Sequence, residues 1–323
     1  MALLKDIKLP VAEELKKFDN YFIQSFKSDI YLLNLITKYL SRNKGKQIRS
    51  LLVFLVAKLT GHITPGTYNA ATLIELMHTA TLIHDDVVDE ASYRRGFLTI
   101  HKIWKNKIAV LVGDYFLSRG LLLAVKDKEY ELLEIVSEAV KEMSEGELLQ
   151  IEKSKRLDIN EDIYFKIIRK KTAILLASCA AAGAKSAGAD KQTIERLKTF
   201  GENLGIAFQI KDDILDYNGN KTGKKTGNDI KENKITIPLI FSLKQAENGE
   251  RKRILKLLRQ KNKTDRTIEE IFEFVNKYNG ITYATKRMNE FTDMAIKQIE
   301  PFSNVPVYKN LLAFVEFIVK RNK

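Results

Sequence analysis

Asp85, Asp86 and Asp89 fall at i, i+1 and i+4 inside LIHDDVVDE, a stretch otherwise apolar enough to be buried. If the stretch is helical, Asp85 and Asp89 share a face and Asp86 stands about a quarter turn away. Carboxylates this close repel unless a cation lies between them. Hard oxygen donors without a rigid cage suit Mg²⁺, which keeps several waters and also takes substrate phosphates as ligands. The same spacing returns in FQIKDDILD, where Asp212, Asp213 and Asp216 again follow an apolar run. One such cluster commonly does no more than solvate a helix, but two matching copies in separate halves of the chain predict a shared site. Facing clusters would hold several Mg²⁺ ions around one polyanion, for which a diphosphate is the natural choice. All six aspartates are therefore read as metal ligands and as the catalytic centre, with Mg²⁺ the expected cofactor.

Cations that could meet such a polyanion are spaced along the same sequence. Arg94 and Arg95 follow the first cluster and offer forked donors for phosphate. Lys46 and Arg49, in SRNKGKQIRS, bring two cations to a helix start after Gly45, which lets the backbone turn. His78 lies about two turns before Asp85, on nearly the same face. Taken alone, a histidine in an apolar helix is more often a core residue than a ligand. Gln209 is one turn before Asp212 and Asp213 and joins their surface. The basic segment from Asn218 to Asn233 is the longest expected loop; it and its border offer Lys224, Lys234 and, as a partner behind the metals, Asp229.

In combination these motifs are specific. DDVVD followed by RRG, then GDYF, EGELLQ, the Lys171-Thr172 pair, FQIKDDILD and GKKTGNDIKENKITIPLI make a sequence that resembles the trans-polyprenyl diphosphate synthases, head-to-tail prenyltransferases of the isoprenoid pathway. The likeness runs from about Gly45 to the basic C-terminus. It implies an all-α, single-domain helical bundle of the isoprenoid synthase type with a central substrate cavity, assembled as a homodimer. The implied reaction joins an allylic diphosphate to isopentenyl diphosphate and releases pyrophosphate. By the same resemblance Lys46, Arg49, His78 and Arg95 hold isopentenyl diphosphate, Arg94 serves the allylic diphosphate, and Lys171 with Thr172 serves both that group and the departing pyrophosphate. Lys171 thereby joins the catalytic set, and Gln209, Lys224 and Lys234 complete the substrate-binding set. Lys44 and Asn233 stand for usual glycines and Ser50 for a usual proline, departures that bear on loop shape more than on charge. The terminal Arg321-Asn322-Lys323 either folds over the entrance or frays in solvent, the second being the ordinary behaviour of a chain end.

With a diphosphate at Asp85 and Asp89, a growing tail would run toward the helix N-terminus, past residues spaced by about 1.5 Å each. Thr81 and Ala80 stand there and are small, where short-chain relatives often carry aromatics; Met77 is next. With the resemblance, these three chain-length residues imply an open tunnel and a product of hexaprenyl to octaprenyl class or longer. Farnesyl or geranylgeranyl diphosphate is the alternative, and Ala80 serving only close helix packing is the plainer reading of that residue.

The elements that must position these groups are helices. Only 16 glycines and 5 prolines occur in 323 residues, and no segment reads as an alternating strand array. A single domain over 1–323 is expected. Leu15, Phe18, Phe22, Phe26, Ile30 and Leu33 recur at helical spacing as core or subunit-packing positions; the main helix is expected from Ala71, and Tyr164 to Ala184 as one helix. Gly113 would permit close helix approach beside Asp114, an acid expected to be buried; Gln150 is placed near the tail pocket, and His84 is structural. The net charge of +13 is interleaved with acids and favours anionic partners. Without a basic arm or zinc-ligand spacing, nucleic acid is not expected; peripheral contact with an anionic membrane, for product release, fits the excess charge. The single Cys179 precludes an intrachain disulfide, and with neither a signal-peptide core nor a run of roughly 20 apolar residues the expected location is cytoplasmic.

Two other readings compete. Terpene cyclases and head-to-head synthases resemble the first acidic motif but generally lack the paired FQxKDDxxD and Gly-Lys-x-x-Arg elements. A non-catalytic regulatory subunit would be expected to have lost aspartates, and all six are present.

Overall fold

Apolar residues recur at helical spacing through the chain, and the computed structural model, which describes residues 4–42, 45–94, 96–156, 160–217, 227–260 and 262–320, is built of helices. A short α1 (Leu4–Lys8) and α2 (Ala12–Gln24) lead to α3 (Tyr31–Arg42), α4 (Ile48–Thr60) and α5 (Pro65–Val88). A small antiparallel hairpin follows, β1 (Tyr93–Arg94) with β2 (Phe97–Leu98), the only sheet among the described residues. Next come α6 (Ile100–Lys126), α7 (Tyr130–Arg156), α8 (Glu161–Ile168), α9 (Ile174–Ser186) and α10 (Lys191–Tyr217). After the one-turn α11 (Asn228–Lys231), the bundle is completed by α12 (Ile237–Gln245), α13 (Asn248–Leu258), α14 (Asp265–Lys277), α15 (Gly280–Ile299) and α16 (Tyr308–Lys320). The all-α expectation holds.

The two acid clusters sit at the C-terminal ends of α5 and α10, and α9 runs beside both helices. Every residue from Ile174 to Ala184 of α9 is buried, and its Ala, Ser, Cys and Gly side chains let α4 and α10 close on it. The acids are anchored by apolar residues on the same turns. Ile83, Ile210 and Ile214 are buried, and each such side chain contributes roughly 1.5–3 kcal/mol on leaving water.

Several local expectations change. Helix α5 starts at Pro65 rather than Ala71: Thr64 caps it in a reciprocal box with Thr67, whose hydroxyl accepts from the Thr64 amide at 3.1 Å, and proline occupies its first turn. The chain breaks between α2 and α3, so Phe18 and Phe26 are buried while Ile30 is 62% exposed. The segment from Tyr164 to Ala184 is not one regular α-helix; residues Arg169–Ala173 form a π turn. Asp114 is exposed, not buried, and lies 3.5 Å from His84. Gly113 does allow close approach, since a Cβ there would stand 2.1 Å from His84 Nε2. Helix α6 is long and apolar enough by composition to cross a membrane, contrary to the sequence reading. One of its faces packs on α5, and the other exposes Val110, Leu111, Leu121 and Leu122.

Candidate active site

At the end of α5 the three acids of the first cluster have different surroundings. Asp89 is exposed, Asp85 half-buried and Asp86 only 5% exposed. The hairpin turns β1 back so that Arg94 donates through Nε and Nη2 to Oδ1 of Asp86, each at 2.8 Å. Burial still raises the Asp86 carboxyl above its usual range, with Arg94 acting in the opposite direction. Asp85 is raised as well, by burial and then by the Glu147 carboxylate, against the pull of Lys171.

At the end of α10 the second cluster divides in the same way. Asp213 is buried, and both of its oxygens are engaged: Gln209 Nε2 donates to Oδ1 at 2.9 Å and the Tyr164 hydroxyl to Oδ2 at 2.6 Å. Asp216 accepts the Asn228 and Asp229 amides at 3.2 and 3.1 Å and so fixes the start of α11. Asp212 is half-buried. Asp86, Asp213 and Asp216 each hold a protein group in this arrangement, whereas Asp85 is half-buried and Asp89 exposed.

One set of cations faces these acids from α8 through α11. Lys171 stands in the π turn, ion-paired with Glu147 and 3.4 Å from Gln150 Oε1. Such turns break helical register and often serve functional sites. Thr172 donates to Gln209 Oε1 at 2.9 Å, which ties the π turn to α10. Lys234 is 2.5 Å from Glu232; burial opposes its charge, but Glu232, Asp229 and Asp89 outweigh it and hold the ammonium above its usual pKa. The reach of Asp89 to Lys234 sets the end of α5 opposite the segment after α11. Asp229, pushed up to about 6 by burial and the neighbouring Asp216 charge, lies behind them. A cavity of about 150 Å³ is lined by Gln150, Lys171, Thr172, Gln209, Asp213 and Lys234. Gln150 thus belongs to the polar site rather than to a tail pocket.

A second cavity, of about 550 Å³, gathers Lys46, Arg49, His78, Asp86, Arg94 and Phe208. Lys46 Nζ sits 5.3 Å above the Phe317 ring, so α16 covers this side. The left-handed residue of the loop is Gln47 (φ 54°), not Gly45. Ser50 uses the amide a proline would lack, donating to Glu75 Oε1 at 3.2 Å. Asn233 adopts φ 59°, a conformation asparagine tolerates nearly as glycine does, and accepts from Lys263 at 2.6 Å. Arg95, Lys224 and Arg321-Asn322-Lys323 lie outside the described residues, as does Lys44.

The chain-length residues separate onto two faces. Met77, Thr81 and Asp85 follow one another at i+4. Thr81 is half-buried with its hydroxyl turned to the His78 carbonyl at 2.9 Å, and the Met77 sulfur lies beside Gly120. Ala80 is fully buried in a different apolar cluster, with Val112 and Phe116 of α6, and lines neither cavity. Met77 and Thr81 line neither cavity either, but Thr81 shares the face of Asp85 one turn away.

A model of the polyprenyl synthetase family matches residues 31–275. The chain belongs to the polyprenyl synthetase family. It is 32% identical to the octaprenyl diphosphate synthase of Escherichia coli, with 99% of each chain covered, and 32% identical to a geranylgeranyl diphosphate synthase of Saccharolobus solfataricus, covering 94% of this chain and 95% of that one. Among solved structures it is similar to a decaprenyl diphosphate synthase from Rhodobacter capsulatus, at TM-score 0.94 and 32% identity over 99% of this chain and 100% of that one. A Caulobacter crescentus polyprenyl synthase complexed with calcium and isoprenyl diphosphate gives TM-score 0.91 and 30% identity over 99% and 98%. The chain is accordingly an enzyme of prenyl transfer in isoprenoid biosynthesis, a trans-prenyl diphosphate synthase acting on isoprenyl diphosphates.

The family is metal-dependent, and the donor set here fits. No three acids or histidines among the described residues converge as a ready-made cage. Mg²⁺ is ordinarily held by one or two carboxylates completed by water and substrate phosphate, which is what Asp85, Asp89 and Asp212 offer. Two functional residues escape a sequence reading. Tyr164 carries no local signal, being brought to Asp213 only by the fold. Glu147 sits inside EGELLQ, where its spacing from Gln150 was a usable sign that both face one partner.

Proposed function

We propose that this enzyme is a Mg²⁺-dependent, long-chain trans-polyprenyl diphosphate synthase using isopentenyl diphosphate and an allylic diphosphate. The observation that carries the reading is the pair of cation sets around one group of carboxylates: Lys46, Arg49 and His78 on one side, Lys171 and Lys234 on the other. Each set takes one diphosphate. Asp85, Asp89 and Asp212 would hold Mg²⁺, which when bound would supply charge neutralisation at the leaving diphosphate.

Lys171 and Lys234 hold the allylic diphosphate and its pyrophosphate as the carbon–oxygen bond breaks, acting where charge grows. Lys46, Arg49 and His78 aim the isopentenyl double bond at the allylic carbon, and Arg94, oriented by Asp86, serves the allylic side. A carbon–carbon bond forms, and the departing pyrophosphate takes the proton whose loss restores the alkene.

The long-chain reading, hexaprenyl to octaprenyl or longer, is supported by the lack of an aromatic side chain at Thr81 and Met77 on the face of Asp85; farnesyl or geranylgeranyl length is the alternative. The exposed apolar face of α6 suits a second copy in a homodimer, and the basic surface suits peripheral contact with anionic lipid during product release. A cytoplasmic location fits the lone Cys179, whose thiol burial pushes up to about 12. Incubation with labelled isopentenyl diphosphate, Mg²⁺ and geranyl or farnesyl diphosphate, followed by chromatography of the dephosphorylated products, tests the reading. Products of six or more isoprene units support it; products ending at farnesyl or geranylgeranyl length reject the long-chain assignment.

A further inference from the structure

Lys170 and Lys171 are neighbours in sequence but are partnered separately. Lys170 is ion-paired with Glu142 and Glu145 at 2.6 and 2.7 Å, whereas Lys171 lines the 150 Å³ cavity and is ion-paired with Glu147. The backbone fixes this arrangement. A Cβ on Gly146 would lie 2.9 Å from both Lys170 Cβ and the Lys171 amide nitrogen, so α7 runs directly against the π turn and keeps the Glu147 backbone beside Lys171. Both partners remain reachable, with side chains 32% and 28% exposed. Glu147 belongs to neither aspartate cluster, yet its charge reaches Asp85. A negative group is thus held on a lysine that must grip a more negative ligand.

We propose that Glu147 is a positioning residue that competes with diphosphate for Lys171, holding the lysine in place between turnovers and hastening surrender of pyrophosphate after condensation. The proposal rests on the reading of Lys171 as a ligand of the leaving diphosphate. When the diphosphate binds, Lys171 exchanges one anionic partner for another. When pyrophosphate departs, Glu147 recovers the lysine, so the ammonium is never left uncompensated in a half-buried site.

A strut that only supports the π turn would be needed for anion binding, and its loss would weaken it; a competitor does the reverse. Calorimetric titration of inorganic pyrophosphate, at saturating Mg²⁺, into the full-length protein and its Glu147→Gln, Lys171→Gln and doubly substituted forms separates the two. Glu147→Gln keeps size and hydrogen bonding but removes charge, and is expected to tighten pyrophosphate by roughly two- to fivefold, the scale of a partly exposed ion pair given up by Lys171. Lys171→Gln should weaken binding, and the double form should match Lys171→Gln alone. Unchanged or weaker binding by Glu147→Gln overturns the proposal, as does loss of fold in both Glu147→Gln and Glu147→Ala. Unchanged binding by Lys171→Gln overturns instead the assignment of Lys171.

Discussion

The Tyr164 hydroxyl and the Asp213 carboxylate meet at 2.6 Å with both side chains buried, so the middle acid of the second cluster is fixed by the fold at the wall of the cavity shared with Lys171 and Lys234. Burial, then the Asp229 charge, raises the Asp213 pKa well above the usual range, while Tyr164 and Gln209 oppose that rise. Tyr164→Phe keeps the ring but leaves one buried oxygen without its donor, at a cost of about 1–3 kcal/mol of unfolding free energy in a denaturant titration. Mg²⁺ affinity, measured with pyrophosphate present, should change little, because Gln209 still holds Asp213 in place. A large loss of Mg²⁺ affinity would mean that Gln209 alone does not hold it.

Product length should respond to Thr81 and not to Ala80. Thr81→Tyr puts an aromatic ring on the face of Asp85 and is expected to shorten the products while condensation continues. Ala80→Phe must overpack the cluster around Phe116, costing about 1–3 kcal/mol in stability. Product chromatography and thermal melts decide it; shortened products from Ala80→Phe without destabilisation would put the tunnel on the other face.

Lys105 adopts φ 74°, ψ 160° at a kink within α6, a region open essentially to glycine alone. Lys105→Gly removes that strain and should raise the unfolding free energy by about 1–2 kcal/mol. An unchanged or lower midpoint would mean that the lysine side chain compensates for its own backbone.

Asp229 titrates at about 6 in the folded protein, above an unfolded aspartate. The folded state therefore binds more protons between those two values, and stability falls as pH rises through this window. The metal-free enzyme is expected to lose stability between about pH 4.5 and pH 6.5 through this group, and saturating Mg²⁺ with pyrophosphate to flatten the dependence. A metal-free melt that rises with pH would contradict the crowding of carboxylates described above.

Much of this was legible in the sequence because chemistry and helical spacing coincide. The two acid triplets could be placed from spacing, the Gly45-to-Arg49 loop and His78 only with the family resemblance, and the all-α fold from the scarcity of breakers. The start of α5 was readable too, in Thr64-Pro65, but the capping signal is weaker than the apolar run after it. What spacing does not carry is the direction of each side chain once distant elements meet. Asp213 and Asp216 look equivalent to Asp212 until Tyr164 and the α11 amides arrive, and Ala80 looks equivalent to Thr81 until α6 packs. The π turn under Lys171 leaves no mark in RKKTA, since its cause is the close approach of Gly146.

The central claim is that α5 and α10 supply one metal–diphosphate site. Its most direct test is the steady-state rate of labelled isopentenyl diphosphate incorporation by Asp85→Ala, Asp212→Ala and the double variant, each checked for helix content by circular dichroism. Groups that act as a unit are not additive. Each single substitution is predicted to lower kcat by at least about a thousandfold, with the double variant little worse than either. Near-normal turnover in either single variant, or losses that multiply in the double, would contradict a shared site.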